Sequence, residues 1–220
     1  MNGFLNLYKP KGVSSARVLN AVKRSLKGET VGHMGTLDPL ADGVLPVAIG
    51  KSTRLFDYLL DKNKEYVATV AFGFSTDSYD LEGEITQRSD VLPSDAELEA
   101  ACKKLTGDIM QIPPIYSAKC VNGKRSYELA RKGVAVELPP KKVTVKSIRV
   151  LDKISENEYK IKILCGGGTY IRAIARDLGL LCGTVATMTS LTRTASGIFR
   201  IENSVTAEEF TSAAYKSALL

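Results

Sequence analysis

The stretch GHMGTLDPLADG, residues 32–43, contains the chain's single histidine, His33, three glycines, and Asp38 directly before Pro39. Proline confines the residue before it to extended backbone, and glycine lets the neighbouring chain bend close to another group. Asp38 is therefore an aimed carboxylate in an apolar loop. An isolated Asp-Pro step is more often an ordinary turn, so the surrounding pattern has to decide.

Working outward, FLNLY (4–8) reads as a strand, and KPKG turns the chain into SSARVLNAVKRSL (14–26). There Val18, Ala21, Val22 and Leu26 form a helical stripe behind a serine cap. After the loop, VLPVAIG (44–50) reads as a buried strand. STRLFDYLL (52–60) reads as a capped helix with Leu55, Phe56, Leu59 and Leu60 inward, and EYVATVAFGF (65–74) as a strand. Ser94 and Glu97 form a capping box for a helix of about twelve residues ending near Gly107. IPPIYSAKCVNGKR (112–125) reads as a loop, SYELARKG (126–133) as a short helix, and KVTVKSIRVL (142–151) with EYKIKIL (158–164) as a hairpin. CGGG (165–168) leads into the helix TYIRAIARDLGLL (169–181), with Ile171, Ile174, Ala175 and Leu178 inward. TVATMTSLTRT (184–194) is a further strand, and Thr206 with Glu209 caps a last helix. The pattern predicts an α/β (α+β) class, one sheet of about eight strands with helices on its faces.

With 220 residues and 44% apolar composition, the chain can bury a sizeable core. No signal-peptide core and no apolar run near the roughly 18 residues of a membrane span is present, so a cytoplasmic protein is expected. Cys102, Cys120, Cys165 and Cys182 stand far apart, which argues against a zinc site and for buried reduced thiols. The net charge is +6, unevenly spread. Ser75 to Asp108 holds nine acids against three bases, and Lys119 to Arg149 nine bases against two acids, as expected if one face meets phosphates. Gly166, Gly167 and Gly168 precede a helix that Thr169 can cap, so backbone N–H groups there can receive a phosphate. No Gly-Lys-Ser/Thr follows, which excludes a P-loop.

GHMGTLDPLADGVLP closely resembles the signature loop of the TruB family of tRNA pseudouridine synthases, enzymes that isomerise uridine to pseudouridine in the T-loop of tRNA. NLYKPKGVSS, KEYVATVAFGFSTDSYDLEG, IPPIYSAKCVNGKRSYELARKG, GGGTYIRAIARDLG and MTSLTRTASGIF match in the same order, so the resemblance covers most of residues 4 to 200. It implies a pseudouridine synthase fold with a mixed, mostly antiparallel sheet, and the conversion of uridine at tRNA position 55 by base flipping. The N1–C1′ bond is cleaved and the uracil rejoined through C5. No cofactor or metal is implied.

By the same resemblance Asp38 takes the catalytic role, Tyr66 stacks on the flipped uracil, and Arg172 pairs with the catalytic carboxylate. Tyr170 and Leu191 line the uracil pocket. His33 contacts the T-loop, and Lys9 and Gly35 belong to matching elements at the substrate site. Lys119, Lys124, Arg125 and Arg131, with Lys132 and Tyr127, fall in an insertion closing over the tRNA arm. One departure is Cys120: after Tyr-Ser-Ala the family usually has one residue and then a lysine, and here Lys119 is followed by cysteine. The implied organisation is a catalytic domain over residues 1–203, with the insertion at about 107–137. A short C-terminal helix or tail over 204–220 stands in place of the usual PUA-like domain, so a T-arm hairpin should serve nearly as well as whole tRNA. A monomer with no obligatory protein partner and no membrane association is expected. A tRNA-binding folding chaperone, a guide-dependent catalytic subunit and a synthase acting on another RNA are the competing readings. The combination of Asp38, Tyr66 and Arg172 argues against the chaperone.

Overall fold

The computed structural model describes residues 1–55, 63–116, 120–121, 124–125 and 138–212. Among the described residues nine strands belong to one mixed sheet, in keeping with the sheet of about eight that the pattern predicts, and two two-stranded sheets stand apart from it. The chain divides into two compact units, Met1–Val67 with Leu191–Leu220, and Ala68–Ser190.

In the first unit, β1 (Gly3–Lys9) pairs antiparallel with β3 (Asp42–Ile49), from Gly3 opposite Ile49 to Lys9 opposite Gly43. β2 (Val31–His33) lies antiparallel on the end of β3. β12 (Ala186–Ser196), whose last six residues belong here, runs parallel to β3 with Thr192 opposite Asp42 and Arg193 opposite Gly43. β13 (Phe199–Arg200) folds back on it. Helix α1 (Ser15–Ser25) starts where Ser14 accepts from the Arg17 N–H, as its serine predicts. Its apolar stripe of Val18, Leu19 and Val22 packs with Leu5, Leu7, Leu45 and Val47 and with Phe210 of α4 (Ala207–Thr211). Each such side chain contributes about 1.5–3 kcal/mol on burial. The Thr206–Glu209 capping box of α4 is formed.

The segment Gly50–Leu55 is a 3₁₀ turn, and Leu55 is 44% exposed where the helical pattern predicts it inward. Three residues per turn rotate it off the face that a 3.6-residue period would bury. Phe56, Leu59 and Leu60 lie outside the described residues.

In the second unit the order is β12, β4 (Lys64–Phe72), β11 (Glu158–Cys165), β10 (Lys141–Lys153) and β7 (Gly107–Gln111). The predicted hairpin is β10–β11, antiparallel with two register shifts. β5 (Phe74–Thr76) and β6 (Ile85–Arg88) form a small separate ribbon, and the backbones of β8 (Cys120–Val121) and β9 (Lys124–Arg125) form another. Helix α2 (Asp95–Lys104) has the expected Ser94–Glu97 capping box, and α3 (Ile171–Leu181) buries Ile171, Ile174, Ala175 and Leu178 as its pattern requires. Tyr170, not Thr169, is the N-cap of α3. The Thr169 hydroxyl donates to the Gly166 carbonyl instead, at 3.0 Å, closing the glycine turn rather than capping the helix. Cys102 and Cys165 are buried, and burial pushes the Cys102 thiol up to about 11. No helix among the described residues is long and apolar enough to cross a membrane.

Candidate active site

In the first unit, residues 34–41 form the loop between β2 and β3, with Asp38 half-buried and Leu37, Leu40 and Ala41 buried around it. Backbone bonds fasten the loop on both sides of the carboxylate. The Ser15 hydroxyl, at the start of α1, donates to the Leu37 carbonyl and accepts from the Leu37 N–H, both at 2.9 Å. The Gly12 N–H donates to the Pro39 carbonyl at 2.8 Å, and the Ala41 N–H to the Asp38 carbonyl at 3.1 Å. Lys9, fully buried at the end of β1, directs its ammonium to the carbonyls of Pro10 (2.9 Å), Val13 (2.6 Å) and Pro39 (3.4 Å). A buried ammonium persists only where such acceptors replace its water. Through these bonds Lys9 ties the KPKG turn to the Asp-Pro step.

Arg193 enters from β12 and is fully buried. Its Nε donates to the Val44 carbonyl at 2.7 Å and Nη2 to the Gly35 carbonyl at 3.1 Å, so one planar fork grips both flanks of the Asp38 loop. Nη1 has no hydrogen-bond partner among the described residues. Gly35 (φ +97°) leaves room for this fork: a Cβ there would lie 3.0 Å from the Lys64 ammonium and 3.6 Å from Arg193 Nη1. Gly43 (φ +103°) is more constrained, since a Cβ would come within van der Waals overlap of the Arg193 carbonyl. Gly43→Ala should therefore lose roughly 2–5 kcal/mol, combining positive-φ strain with overpacking. Denaturant unfolding should read this as a lower midpoint at unchanged slope.

His33 closes β2, half-buried, with a buried Nδ1 that makes no hydrogen bond to the described residues. Burial, and then the charges of Arg193 and Lys23, hold its imidazole below the ordinary histidine range. A neutral ring offers one donor and one acceptor, which suits hydrogen bonding better than ion pairing. Tyr66 sits in β4 and Leu191 in β12, at 6% and 7% exposure.

In the second unit, Arg172 is buried on the first turn of α3. Its Nη1 lies 3.3 Å from Asp80 Oδ2 and donates to the Ser78 carbonyl at 3.1 Å, while Nη2 donates to the Tyr116 carbonyl at 2.9 Å. Asp80 is held in turn through Oδ1, which accepts from the Ser78 hydroxyl at 2.5 Å and the Glu82 N–H at 3.0 Å. Tyr79, immediately before it, has φ 61°. Such left-handed backbone in a non-glycine residue persists only where its surroundings enforce it. Its carbonyl accepts from the Met188 N–H at 3.0 Å, and Arg176 stacks on its ring at 5.2 Å. Tyr170 is fixed through its backbone: the Gln111 amide accepts from its N–H at 2.8 Å and donates to its carbonyl at 3.1 Å.

A model of the TruB family pseudouridylate synthase N-terminal domain matches residues 23–171, and one of the tRNA pseudouridylate synthase B C-terminal domain matches residues 172–219. The chain belongs to the TruB family of pseudouridylate synthases. It is 46% identical over 213 residues to a tRNA pseudouridine synthase B of Clostridium novyi, covering 96% of this chain and 73% of that protein. It is 43% identical over 212 residues to one of Rickettsia bellii, covering 96% and 72%. A solved Cbf5-Nop10-Gar1 complex contains a chain of similar structure, with TM-score 0.74, 32% identity, and coverage of 97% of this chain and 54% of that one.

Within this TruB chain the sequence reading did not single out Arg193, Asp80, Ser15 or Gln111. All four except Gln111 lie in stretches quoted above for the resemblance, but a spacing argument gives none of them a partner. Gln111 precedes the Pro-Pro loop as the last residue of β7, a strand the sequence did not predict. Lys119, Tyr127, Arg131 and Lys132 lie outside the described residues, as do the side chains of Cys120, Lys124 and Arg125.

Proposed function

We propose that this chain isomerises uridine to pseudouridine at position 55 in the T-loop of tRNA, with Asp38 as the catalytic carboxylate. The observation that carries the proposal is the fastening of the Asp38 loop from both sides by Lys9, Ser15 and Arg193. A carboxylate presented by a backbone already fixed loses little further freedom when substrate arrives. In this reading the flipped uridine lies against Tyr66, with Leu191 and Tyr170 on the walls of its pocket. Arg172, itself oriented by Asp80, pairs with the Asp38 carboxylate in this reading. The N1–C1′ bond breaks, the uracil turns, C5 bonds to C1′, the C5 proton leaves and N1 gains one. The exchange is redox-neutral and asks for no cofactor. His33, in its neutral form, hydrogen-bonds the displaced nucleotide. The segment at about 107–137, with Lys119, Lys124, Arg125 and Arg131, grips the arm.

The test is incubation of the protein with a T-arm hairpin in EDTA and an assay for pseudouridine. We expect turnover from the wild type and a fall of at least four orders of magnitude in Asp38→Asn with RNA affinity retained. Turnover surviving that change rejects the role of Asp38. A wild type that binds the hairpin without converting it favours the chaperone reading or another RNA target.

A further inference from the structure

The first acidic residue in the chain is Glu29, while Lys9, Lys11, Arg17, Lys23, Arg24 and Lys27 all precede it. Lys9 is buried in the loop fastening; the other five are exposed on the turn before α1, on α1 and just beyond it. The rest of the chain holds 24 bases and 24 acids, so this segment accounts for the whole net charge of +6. An ordinary solvated face mixes signs, which limits self-repulsion and stabilises a helix through opposite charges one turn apart. α1 does neither: its first turn has no acid, and its charged residues, Arg17, Lys23 and Arg24, are all bases.

Three further observations give this charge a direction. The helix begins at the Asp38 loop, because Ser15 binds Leu37 and Gly12 binds Pro39. Arg17 and Arg24 are seven residues apart, hence on one side of the helix. Both line a cleft of about 700 Å³ together with Tyr8, Val13, Thr206 and Glu208. Among the described residues Glu208 is the single acid on its wall. At 1.5 Å per residue the eleven-residue helix is about 16 Å long. A nucleic-acid strand carries a phosphate about every 3.4 Å along a duplex axis, so on the order of five phosphates fit alongside.

We propose that the basic side of α1 and its cleft form a second RNA-docking surface, which takes the phosphodiester backbone of the stem that carries the target loop. It lies outside the basic stretch of residues 119–149 and acts on binding, not on chemistry. The inference rests on the T-arm reading above, and the two are separable: that reading fails if the wild type makes no pseudouridine, this one if the wild type is active but indifferent to α1 charge.

The experiment compares wild type with Arg17→Gln/Arg24→Gln/Lys27→Gln on a T-arm hairpin across a salt series. We expect KM to rise at least tenfold, kcat to stay within twofold, and the slope of log affinity against log salt to shrink by roughly 2–3, about one per lost phosphate contact. A charge-retaining Arg17→Lys/Arg24→Lys variant should keep most of the affinity, and thermal melts establish that all variants fold. Unchanged KM and salt slope in the folded triple variant overturn the proposal. So does a triple variant that loses binding to phosphatidylserine vesicles while keeping wild-type KM for RNA, which would assign the surface to a lipid.

Discussion

Asp80→Asn is expected to destabilise the protein by about 3–5 kcal/mol and to abolish most of its activity. Asp80 and Arg172 face each other at 3.3 Å with side chains 2% and 7% exposed. Removing one member of a buried ion pair leaves the other charge uncompensated in a low-dielectric site, and that cost is large even where the intact pair contributes little net stability. The amide preserves the shape and can still accept from Ser78 and Glu82, but it turns a dipole instead of a charge toward the guanidinium. At roughly 2–4 °C per kcal/mol for a chain of this size, the melting point should fall by about 6–20 °C. The double variant Asp80→Leu/Arg172→Met separates stability from function. Two apolar side chains of similar volume should restore much of the melting temperature, yet activity should stay lost if Arg172 acts on the Asp38 carboxylate. Recovery of activity with stability would reduce the pair to a purely architectural role. A melting point within 2 °C of wild type in Asp80→Asn would refute the buried-pair argument itself.

The contrast between what the sequence reveals and what it hides follows from the range of the interactions. The Asp38 loop was legible because its cause is local: a proline beside the carboxylate and glycines a few positions away. The starts of α1, α2 and α4 were legible for the same reason, since a cap and its partner stand three residues apart. β7 and β6 were not, because GDIMQ has one buried residue and ITQR none, so neither shows the alternation that marks a half-buried strand. The supports of the site were hidden for a different reason. Arg193 reaches Gly35 across 158 positions and Arg172 reaches Ser78 across 94, and nothing near either arginine signals a carbonyl partner so distant in the chain. Thr169 shows the reverse error: a local rule offered a cap, and a glycine turn offered its hydroxyl a nearer acceptor.

Arg193→Met should cost more in catalysis than in stability. The change removes two charge-assisted hydrogen bonds, to Val44 and Gly35, each worth about 1.5–3 kcal/mol. It also relieves the burial of a guanidinium whose Nη1 is unsatisfied among the described residues, a penalty of several kcal/mol per ion. The two terms oppose each other, so the net stability change should stay under about 3 kcal/mol. Position is not offset in this way. Without the fork the flanks of the Asp38 loop are no longer tied to β12, and a displacement near 1 Å at a reacting group can cost about a hundredfold in rate. We therefore expect kcat to fall about a hundredfold with KM within threefold. Arg193→Lys should recover little, because a single ammonium cannot span both carbonyls. The lone histidine supplies an independent readout, since its imidazole resonances titrate without overlap. Arg193 is the second cause, after burial, of the depressed His33 value, so in Arg193→Met the titration should move up toward the ordinary 6.5. The sign carries over to stability. A histidine depressed by folding binds protons more readily in the unfolded chain, so its contribution is present above about pH 6.5 and is lost as pH falls through the folded value. That loss on acidification should shrink in the variant. An unmoved His33 titration together with wild-type kcat would show that the Asp38 loop holds its shape without Arg193.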